Sequence, residues 1–182
     1  MNTNAMFQIR LYLLRGLVAL AWALVFAAGH QPATTATTLL LVAYPLIDVV
    51  ASAIDARAGR GTPARTFQLI NTVLSALAAI ALGVAGPHGD AAVLVAFGGW
   101  AILSGAAQVT VALRRRAELG RQWPMRIAGG LSVIAGANYL VSAAADHPTL
   151  TALIAYATAG GAFFVIQAVL LAVGLRRARS LA

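Results

Sequence analysis

Two charged residues, Arg15 and Asp48, stand inside long apolar stretches of the sequence. A charged side chain in the middle of a hydrocarbon layer costs about 2.5 to 3.5 kcal/mol on insertion scales, so it needs a partner or a function. If the chain turns back near residues 30–31, the two residues lie at nearly the same depth on antiparallel neighbours. We therefore predict an intramembrane ion pair, which either fixes helix register or takes part in a charge relay or solute contact.

Three histidines, His30, His88 and His147, stand 58 and 59 residues apart in short segments that also carry glycine, proline or aspartate. An imidazole with a pKa near 6.5 gains a proton in mild acid, so these residues are candidates for pH sensing. Together with Asp90 and Asp146, they would change the net charge of the face that carries them from minus two, with the histidines neutral, to plus one, with all three protonated. The alternative is that histidine is simply tolerated in solvated turns. No cysteine or acidic cluster accompanies them, so we predict neither a metal site nor a cofactor.

Four amide side chains also lie inside the apolar stretches: Asn71, Gln108, Asn138 and Gln167. Such residues commonly form hydrogen bonds between helices in a membrane, and they can also line a polar path. Both roles stay open at this point, although single amides scattered over four helices do not form a recognisable selectivity filter.

Glycines at helical spacing are candidates for close helix packing, because they let two backbones approach each other. They would serve either packing within the chain or a homo-oligomer. The candidates are Gly98, Gly99, Gly105, Gly130, Gly136, Gly160 and Gly161.

Motifs of catalysis are absent from the sequence: it has no phosphate-binding glycine loop, no HExxH and no GxSxG. The absence of cysteine excludes disulfides and thiolate chemistry. We therefore predict that the protein is not an enzyme.

The elements that would position these residues follow from the composition. Of 182 residues, 60% are hydrophobic and only 10% are charged, and the mean hydropathy is +0.83, which excludes an ordinary soluble domain. Apolar stretches of about 20 residues match the thickness of a hydrocarbon core. We predict an all-α polytopic membrane protein with six transmembrane helices, at about residues 11–28, 37–54, 67–85, 91–113, 125–145 and 150–175.

The connections between these stretches alternate in character. The histidine-bearing connections are short and free of arginine, whereas residues 56–66 and 114–124 are strongly basic. All 13 basic residues are arginines on one side of this topology, so both termini and the basic connections are predicted to be cytoplasmic. We expect a single domain, 1–182, of three helical hairpins at about 8–57, 64–116 and 123–179.

The expected partners follow from that topology. The chain would lie in the bilayer of the bacterial inner membrane, and its cytoplasmic arginines would contact anionic lipid headgroups, at ~1 kcal/mol each. The formal charge of +8 does not form a surface stripe in this arrangement, so nucleic acid is not an expected partner.

One stretch adds a resemblance to a known family. Residues 97–116 read FGGWAILSGAAQVTVALRRR, with the order Trp100, Gly105, Gln108, an arginine run and then Trp123, and residues 130–136 read GLSVIAG. This order, over about residues 10–179, resembles the HdeD family of six-span bacterial membrane proteins. The resemblance implies a non-enzymatic inner-membrane protein linked to acid or other stress resistance. A small-solute or ion channel or transporter, and a scaffold that binds a lipid or protein partner, are the alternatives.

Overall fold

The computed structural model describes residues 3–29, 34–62, 64–119 and 121–180, and these residues contain helices and no strand. The histidine end of the molecule carries the connections at residues 86–89 and 143–150, and the arginine end carries the connections near residues 59–62 and 121–122. The six α-helices are α1 (Thr3–Gly29), α2 (Thr35–Ala58), α3 (Ala64–Ala85), α4 (Asp90–Leu119), α5 (Trp123–Ser142) and α6 (Thr151–Ser180), with a short 3-10 turn at Gly86–His88 between α3 and α4.

Local chemistry explains where several helices begin. The Thr34 hydroxyl accepts the Thr37 backbone N–H at 3.2 Å, and the Thr37 hydroxyl is 3.3 Å from the Thr34 backbone N–H, so α2 starts with a capping box. The turn before α4 ends at Gly89, whose φ of 94° favours glycine. Pro124 occupies the first turn of α5, where its missing N–H costs nothing.

Each helix overlaps one of the six predicted stretches, but the helices are longer at the arginine end. The predicted connection at residues 114–124 is wrong in its first half, because α4 continues to Leu119 and carries Arg114, Arg115 and Arg116. Likewise α2 continues to Ala58. Alanine, leucine, arginine and glutamate all favour helix, so the helix does not stop where the apolar run stops.

Among the described residues, five helices are long and apolar enough to cross a membrane: α1, α2, α3 with the following turn, α4 and α6. The helix outside this set is α5, whose 20 residues include Arg126, Ser132 and Asn138. These polar residues lower its mean hydropathy. Several apolar helices of this length indicate a membrane protein.

The helices pack in chain order, and α6 packs back against α1, so the bundle is closed. The most extensive contacts are those of α4 with α5, α1 with α6 and α2 with α3. The least extensive contacts between consecutive helices are α1 with α2 and α5 with α6. The closest packing therefore joins helices that belong to different expected hairpins. In two of the three expected hairpins, α1–α2 and α5–α6, the two helices pack more loosely against each other.

Glycines bring the backbones together in two of the close pairs. A methyl group built at Gly136 of α5 would lie 2.5 Å from the Gly98 carbonyl oxygen of α4, and one built at Gly105 would lie 2.6 Å from the Gly129 carbonyl oxygen. Gly161 of α6 faces the Gly16 carbonyl oxygen of α1 at 2.9 Å in the same way. All three contacts exclude any larger residue without a shift of the helices.

Three of the predicted packing glycines do not have this role. A methyl group at Gly99 or Gly130 would meet no atom within 4 Å, and one at Gly160 would meet only the Tyr44 hydroxyl, at 3.8 Å. Successive residues on a helix point about 100° apart, so only one glycine of an adjacent pair can face the partner helix. The sequence analysis also missed Gly16 and Gly129, which do face a partner.

The main apolar core lies toward the histidine end and contains Phe26, Leu82, Leu94, Phe97 and Leu153, all fully buried. The outer surface of the bundle is apolar as well. Large side chains on it include Leu24 and Val141, each 74% exposed, and Ile134, 67% exposed. An apolar exterior of this extent suits a lipid environment.

Candidate functional site

A cavity of about 500 Å³ lies within the bundle, and all six helices contribute to its lining. We call it the central cavity. Most of the lining is aromatic or aliphatic, and a few polar groups occur among it, which is typical of small-molecule sites. The polar lining residues are Arg15, Asp48, Gln68, Asn71, Ser104, Gln108, Ser132 and Asn138, together with three tyrosines.

The predicted ion pair lies in this lining. Arg15 Nη2 donates to Asp48 Oδ1, and the two side chains are 11% and 18% exposed. The other carboxylate oxygen, Oδ2, accepts from Asn71 Nδ2 at 2.6 Å and from Ser75 Oγ at 2.7 Å. We call these four residues the Asp48 cluster; the structure thus brings the two predicted partners together and adds two from α3.

Arg15 uses only part of its hydrogen-bonding capacity. Its guanidinium carbon lies 4.7 Å from the centroid of the Phe164 ring, in a cation–π contact. Within the described residues, Nη2 is its one nitrogen that donates a hydrogen bond, although a guanidinium has five N–H groups. The remaining donors are therefore available to a molecule in the central cavity.

Aromatic side chains border the central cavity on the side of the histidine end. The Tyr44 ring packs edge-on against Trp100 at 5.7 Å and against Tyr156 at 6.4 Å. Tyr156 Oη lies 2.6 Å from Ser132 Oγ, and Ser132 itself donates to the Ala101 carbonyl, so the Tyr156 hydroxyl is the donor between them. Within the described residues, the Tyr44 hydroxyl has no hydrogen-bond partner.

The central cavity reaches the surface of the bundle between α5 and α6. Its lining on α5 includes Leu131 and Ile134, which are 47% and 67% exposed, and Asn138, which is also exposed. On α6 it includes the exposed Ala159 and the half-buried Gly160. Because these exposed lining residues lie along α5 and α6, which make a limited contact, we place the opening on the side of the bundle rather than at either end.

A second ion pair, which the sequence analysis missed, lies toward the arginine end. Arg115 of α4 donates two hydrogen bonds to Asp55 of α2, from Nη1 to Oδ2 at 2.8 Å and from Nη2 to Oδ1 at 2.6 Å. Asp55 also accepts from Gln8 Nε2 at 2.7 Å and from Gln68 Nε2 at 2.6 Å. We call these four residues the Asp55 cluster. Tyr12 Oη accepts from Arg115 as well, at 3.2 Å.

The Asp55 cluster corrects one prediction about the arginines. Arg115 is 4% exposed and Asp55 is 0% exposed, so Arg115 does not reach the surface where lipid headgroups would lie. Its neighbours Arg114 and Arg116 are exposed. The missed signal was the spacing of Asp48 and Asp55, seven residues apart, which places both on the same face of α2.

The four predicted amides have different environments. Asn71 connects α3 to α2 through Asp48 and through Ser52, at 2.9 Å, while its Oδ1 atom is buried without a partner. Gln167 donates to the Arg121 carbonyl at 3.0 Å and so connects α6 to the segment before α5. Gln108 has only a long contact with Met125 Sδ, 3.7 Å, and Asn138 is exposed at the opening; both line the central cavity.

Two of the predicted outer histidines, His88 and His147, lie at the histidine end, away from the residues that line the central cavity. His88 is exposed, and its Nδ1 is 2.8 Å from the Val84 carbonyl oxygen. His147 is also exposed. His30 lies outside the described residues.

Comparison with known proteins found no family model, no curated protein and no solved structure that matches this chain. The class of protein therefore follows from the structure itself: a closed helical bundle with an apolar exterior and an internal cavity that contains a charged pair. The HdeD resemblance stays a prediction.

Proposed function

We propose that this chain is a non-enzymatic protein of the bacterial inner membrane that holds a small molecule in its central cavity. The observation that carries the proposal is the unused hydrogen-bonding capacity of Arg15 and Tyr44 at the surface of an otherwise apolar cavity. A polar group without a partner in such a place costs free energy, and a bound molecule removes that cost.

The channel alternative has less support from the packing. Fully buried Phe26, Phe97 and Leu94 fill the bundle toward the histidine end. The Asp55 cluster fills it toward the arginine end. A bundle packed at both ends suits a binding site better than a pore. If reconstituted vesicles containing the protein passed ions or small solutes faster than empty vesicles, the channel alternative would replace this proposal.

Six membrane spans and cytoplasmic termini are part of the proposal. The proposed sixth span is α5. It completes the bundle between α4 and α6 and exposes the apolar side chains of Ile134 and Val141 on its outer side, which supports this assignment. The arginines cluster at one end, which favours that end as cytoplasmic. The exposed arginines would then contact anionic headgroups, and packing faces on the exterior could support a homo-oligomer.

Because the chain has no cysteine, single cysteines test this orientation cleanly. A membrane-impermeant maleimide added to intact spheroplasts should label Asp146→Cys at the histidine end and should spare Arg116→Cys until the membrane is opened. The reverse pattern would contradict the orientation.

A link to acid or other stress, of the HdeD type, is proposed from the resemblance in sequence. The exposed histidines His88 and His147, together with His30, are the candidate pH-sensing residues of this proposal. Cells that carry a His30→Gln/His88→Gln/His147→Gln variant should survive acid less well than cells with the parent protein at equal expression. Equal survival would remove pH sensing from the proposal.

Native mass spectrometry of the protein, purified from bacterial membranes in mild detergent, tests the binding role directly. Gly160→Leu is the informative variant, because Gly160 lines the central cavity and a Cβ added there meets only the Tyr44 hydroxyl within 4 Å. Gly130→Leu on α5 is the matched control, since a Cβ added there meets nothing within 4 Å.

We expect a bound small-molecule mass on the parent protein and on Gly130→Leu, and its loss on Gly160→Leu. A mass retained equally by all three proteins would place the molecule outside the central cavity. No bound mass, together with no binding of any added probe, would contradict the proposed function. A protein partner retained on the outer surface would favour the scaffold alternative instead.

A further inference from the structure

We infer that the molecule held in the central cavity is an uncharged amphiphile with carbonyl or hydroxyl oxygens in its head, and that it enters from the bilayer between α5 and α6. This inference rests on the proposed function and names its ligand class and its route of entry.

The charge of the lining argues for an uncharged head. Arg15 and Asp48 are its one cationic and its one carboxylate side chain, and they already compensate each other. A ligand carboxylate, phosphate or ammonium would add a charge with no counter-charge in the lining. Burying an uncompensated charge is costly, whereas a neutral head leaves the balance undisturbed.

The hydrogen-bonding groups argue for oxygens in that head. Both oxygens of Asp48 already accept hydrogen bonds, from Arg15 and from Asn71 and Ser75. The lining therefore offers donors to a ligand, namely the remaining N–H groups of Arg15, the Tyr44 hydroxyl and the Gln108 amide N–H groups, and its acceptors are the amide oxygens of Gln108 and Asn138 rather than a free carboxylate oxygen. Carbonyl oxygens accept from such donors, and a hydroxyl can also donate in return.

The opening argues for entry from the bilayer. Leu131 and Ile134 line the central cavity and are also exposed on the outside of the bundle, so an apolar surface continues from the exterior into the cavity. Inside, Phe163 and Phe164 of α6 extend that apolar surface toward Arg15. An amphiphile can therefore place its head at Arg15 and leave its tail between α5 and α6.

A water-soluble solute fits this arrangement less well. The histidine end is filled by Phe26, Leu94 and Phe97, and the arginine end is filled by the Asp55 cluster. A polar solute would have to pass through the apolar opening and lose its hydration there, which costs free energy.

Quenching of Trp100, which lines the central cavity, gives a direct test. The protein is placed in nanodiscs of zwitterionic lipid and titrated with three brominated probes of equal chain length: a monoacylglycerol, a fatty acid ionised at the working pH and an alkyl ammonium. Trp100→Phe reports the background from Trp22 and Trp123. Gly160→Leu takes up part of the cavity beside Tyr44, and Gly130→Leu is the matched control.

We expect saturable quenching that is lost in Trp100→Phe and in Gly160→Leu and is kept in Gly130→Leu. The monoacylglycerol should bind about tenfold more tightly than either charged probe, and Arg15→Gln/Asp48→Asn, which keeps the site neutral, should weaken it about tenfold through loss of a charge-assisted hydrogen bond. Circular dichroism and elution volume serve as folding controls for each variant.

Three results would overturn the inference while leaving the proposed function intact. Tighter binding of either charged probe would refute the uncharged head, and equal binding of the monoacylglycerol to Gly160→Leu would refute entry into this cavity. A bound mass in native mass spectrometry that only a water-soluble compound displaces would also refute the inference. The proposed function itself fails only if neither the native mass nor any probe depends on Gly160→Leu.

Discussion

Two arginine–aspartate pairs in this bundle have the same chemistry and different surroundings. In the Asp55 cluster the guanidinium holds both carboxylate oxygens, and two glutamines and a tyrosine complete the hydrogen bonds around the pair. In the Asp48 cluster the guanidinium holds one oxygen and faces the central cavity. The side chains of Asp55 and Asp48 are 0% and 18% exposed, respectively.

The difference distinguishes an ion pair that stabilises the fold from an ion pair that can bind a ligand. Both carboxylate oxygens of Asp55 and both terminal nitrogens of Arg115 form hydrogen bonds within the protein, so that pair connects α1, α2, α3 and α4. Arg15 has unused donors beside an accessible cavity. A buried ion pair by itself is weak evidence of either role; the satisfaction of its hydrogen bonds distinguishes the two.

The largest expected effect is on stability, from Arg115→Met. Removing this guanidinium leaves the buried Asp55 carboxylate without its counter-charge, and breaking such a pair costs about 3 to 5 kcal/mol. Thermal unfolding in detergent, followed by circular dichroism, measures the loss. The control is Arg116→Met, which alters an exposed neighbour. Its free energy of unfolding should stay within about 0.5 kcal/mol of that of the parent protein.

The double variant Asp55→Leu/Arg115→Met should recover most of that loss, because it removes both charges together. If Arg115→Met were as mild as Arg116→Met, the structural role of the Asp55 cluster would be wrong.

A smaller loss of stability is expected from Asp48→Asn, about 1.5 to 3 kcal/mol, because hydrogen bonds to a charged acceptor are weakened but Arg15 stays partly accessible. Asp55→Asn should cost more in the same unfolding assay. The order of the two variants tests the comparison directly, and a larger loss for Asp48→Asn would reverse it.

Ser75→Ala should cost about 1 to 2 kcal/mol, since the fully buried hydroxyl donates to Asp48 and accepts from Trp100 Nε1 at 3.0 Å. Ser75→Thr keeps the hydroxyl and is the control for loss of that group. A stability equal to that of the parent protein after Ser75→Ala would mean that the Asp48 cluster does not depend on its α3 partner.

Gly160→Leu should have the smallest effect on stability, within about 1 kcal/mol of Gly130→Leu, because a Cβ at either site makes no close contact and both variants gain helix propensity. Its effect on ligand binding should nevertheless be complete. If Gly160→Leu unfolded the protein, the space beside Tyr44 would be smaller than the structure shows.

The sequence could predict the Arg15–Asp48 pair because depth in an apolar stretch is a simple count along the chain. It missed the Asp55 cluster because the second stretch was ended at its last apolar residue, one position before Asp55. Arg115 was hidden in a run of three arginines, and only packing decides which of them faces inward.

Spacing did carry part of the missing information. Asp48, Ser52 and Asp55 stand at i, i+4 and i+7 on α2, and Gln68, Asn71 and Ser75 stand at i, i+3 and i+7 on α3. These spacings put three polar residues on one face of each helix, and the two faces meet in the structure. The position of the cavity opening could not be predicted, because it depends on how closely α5 and α6 pack.

The most direct test is whether a lipid-soluble reagent can reach the central cavity and cannot reach the helix interface beside Asp48. The chain has no cysteine, so Ser104→Cys, in the cavity lining, and Ser52→Cys, fully buried beside Asn71, each introduce one thiol. In membranes, a lipid-soluble maleimide should alkylate Ser104→Cys, should be blocked when Gly160→Leu is added, and should leave Ser52→Cys unmodified until unfolding. If Ser104→Cys stayed as unreactive as Ser52→Cys, or reacted equally with the cavity filled, there would be no accessible cavity at Arg15 and the account would be contradicted.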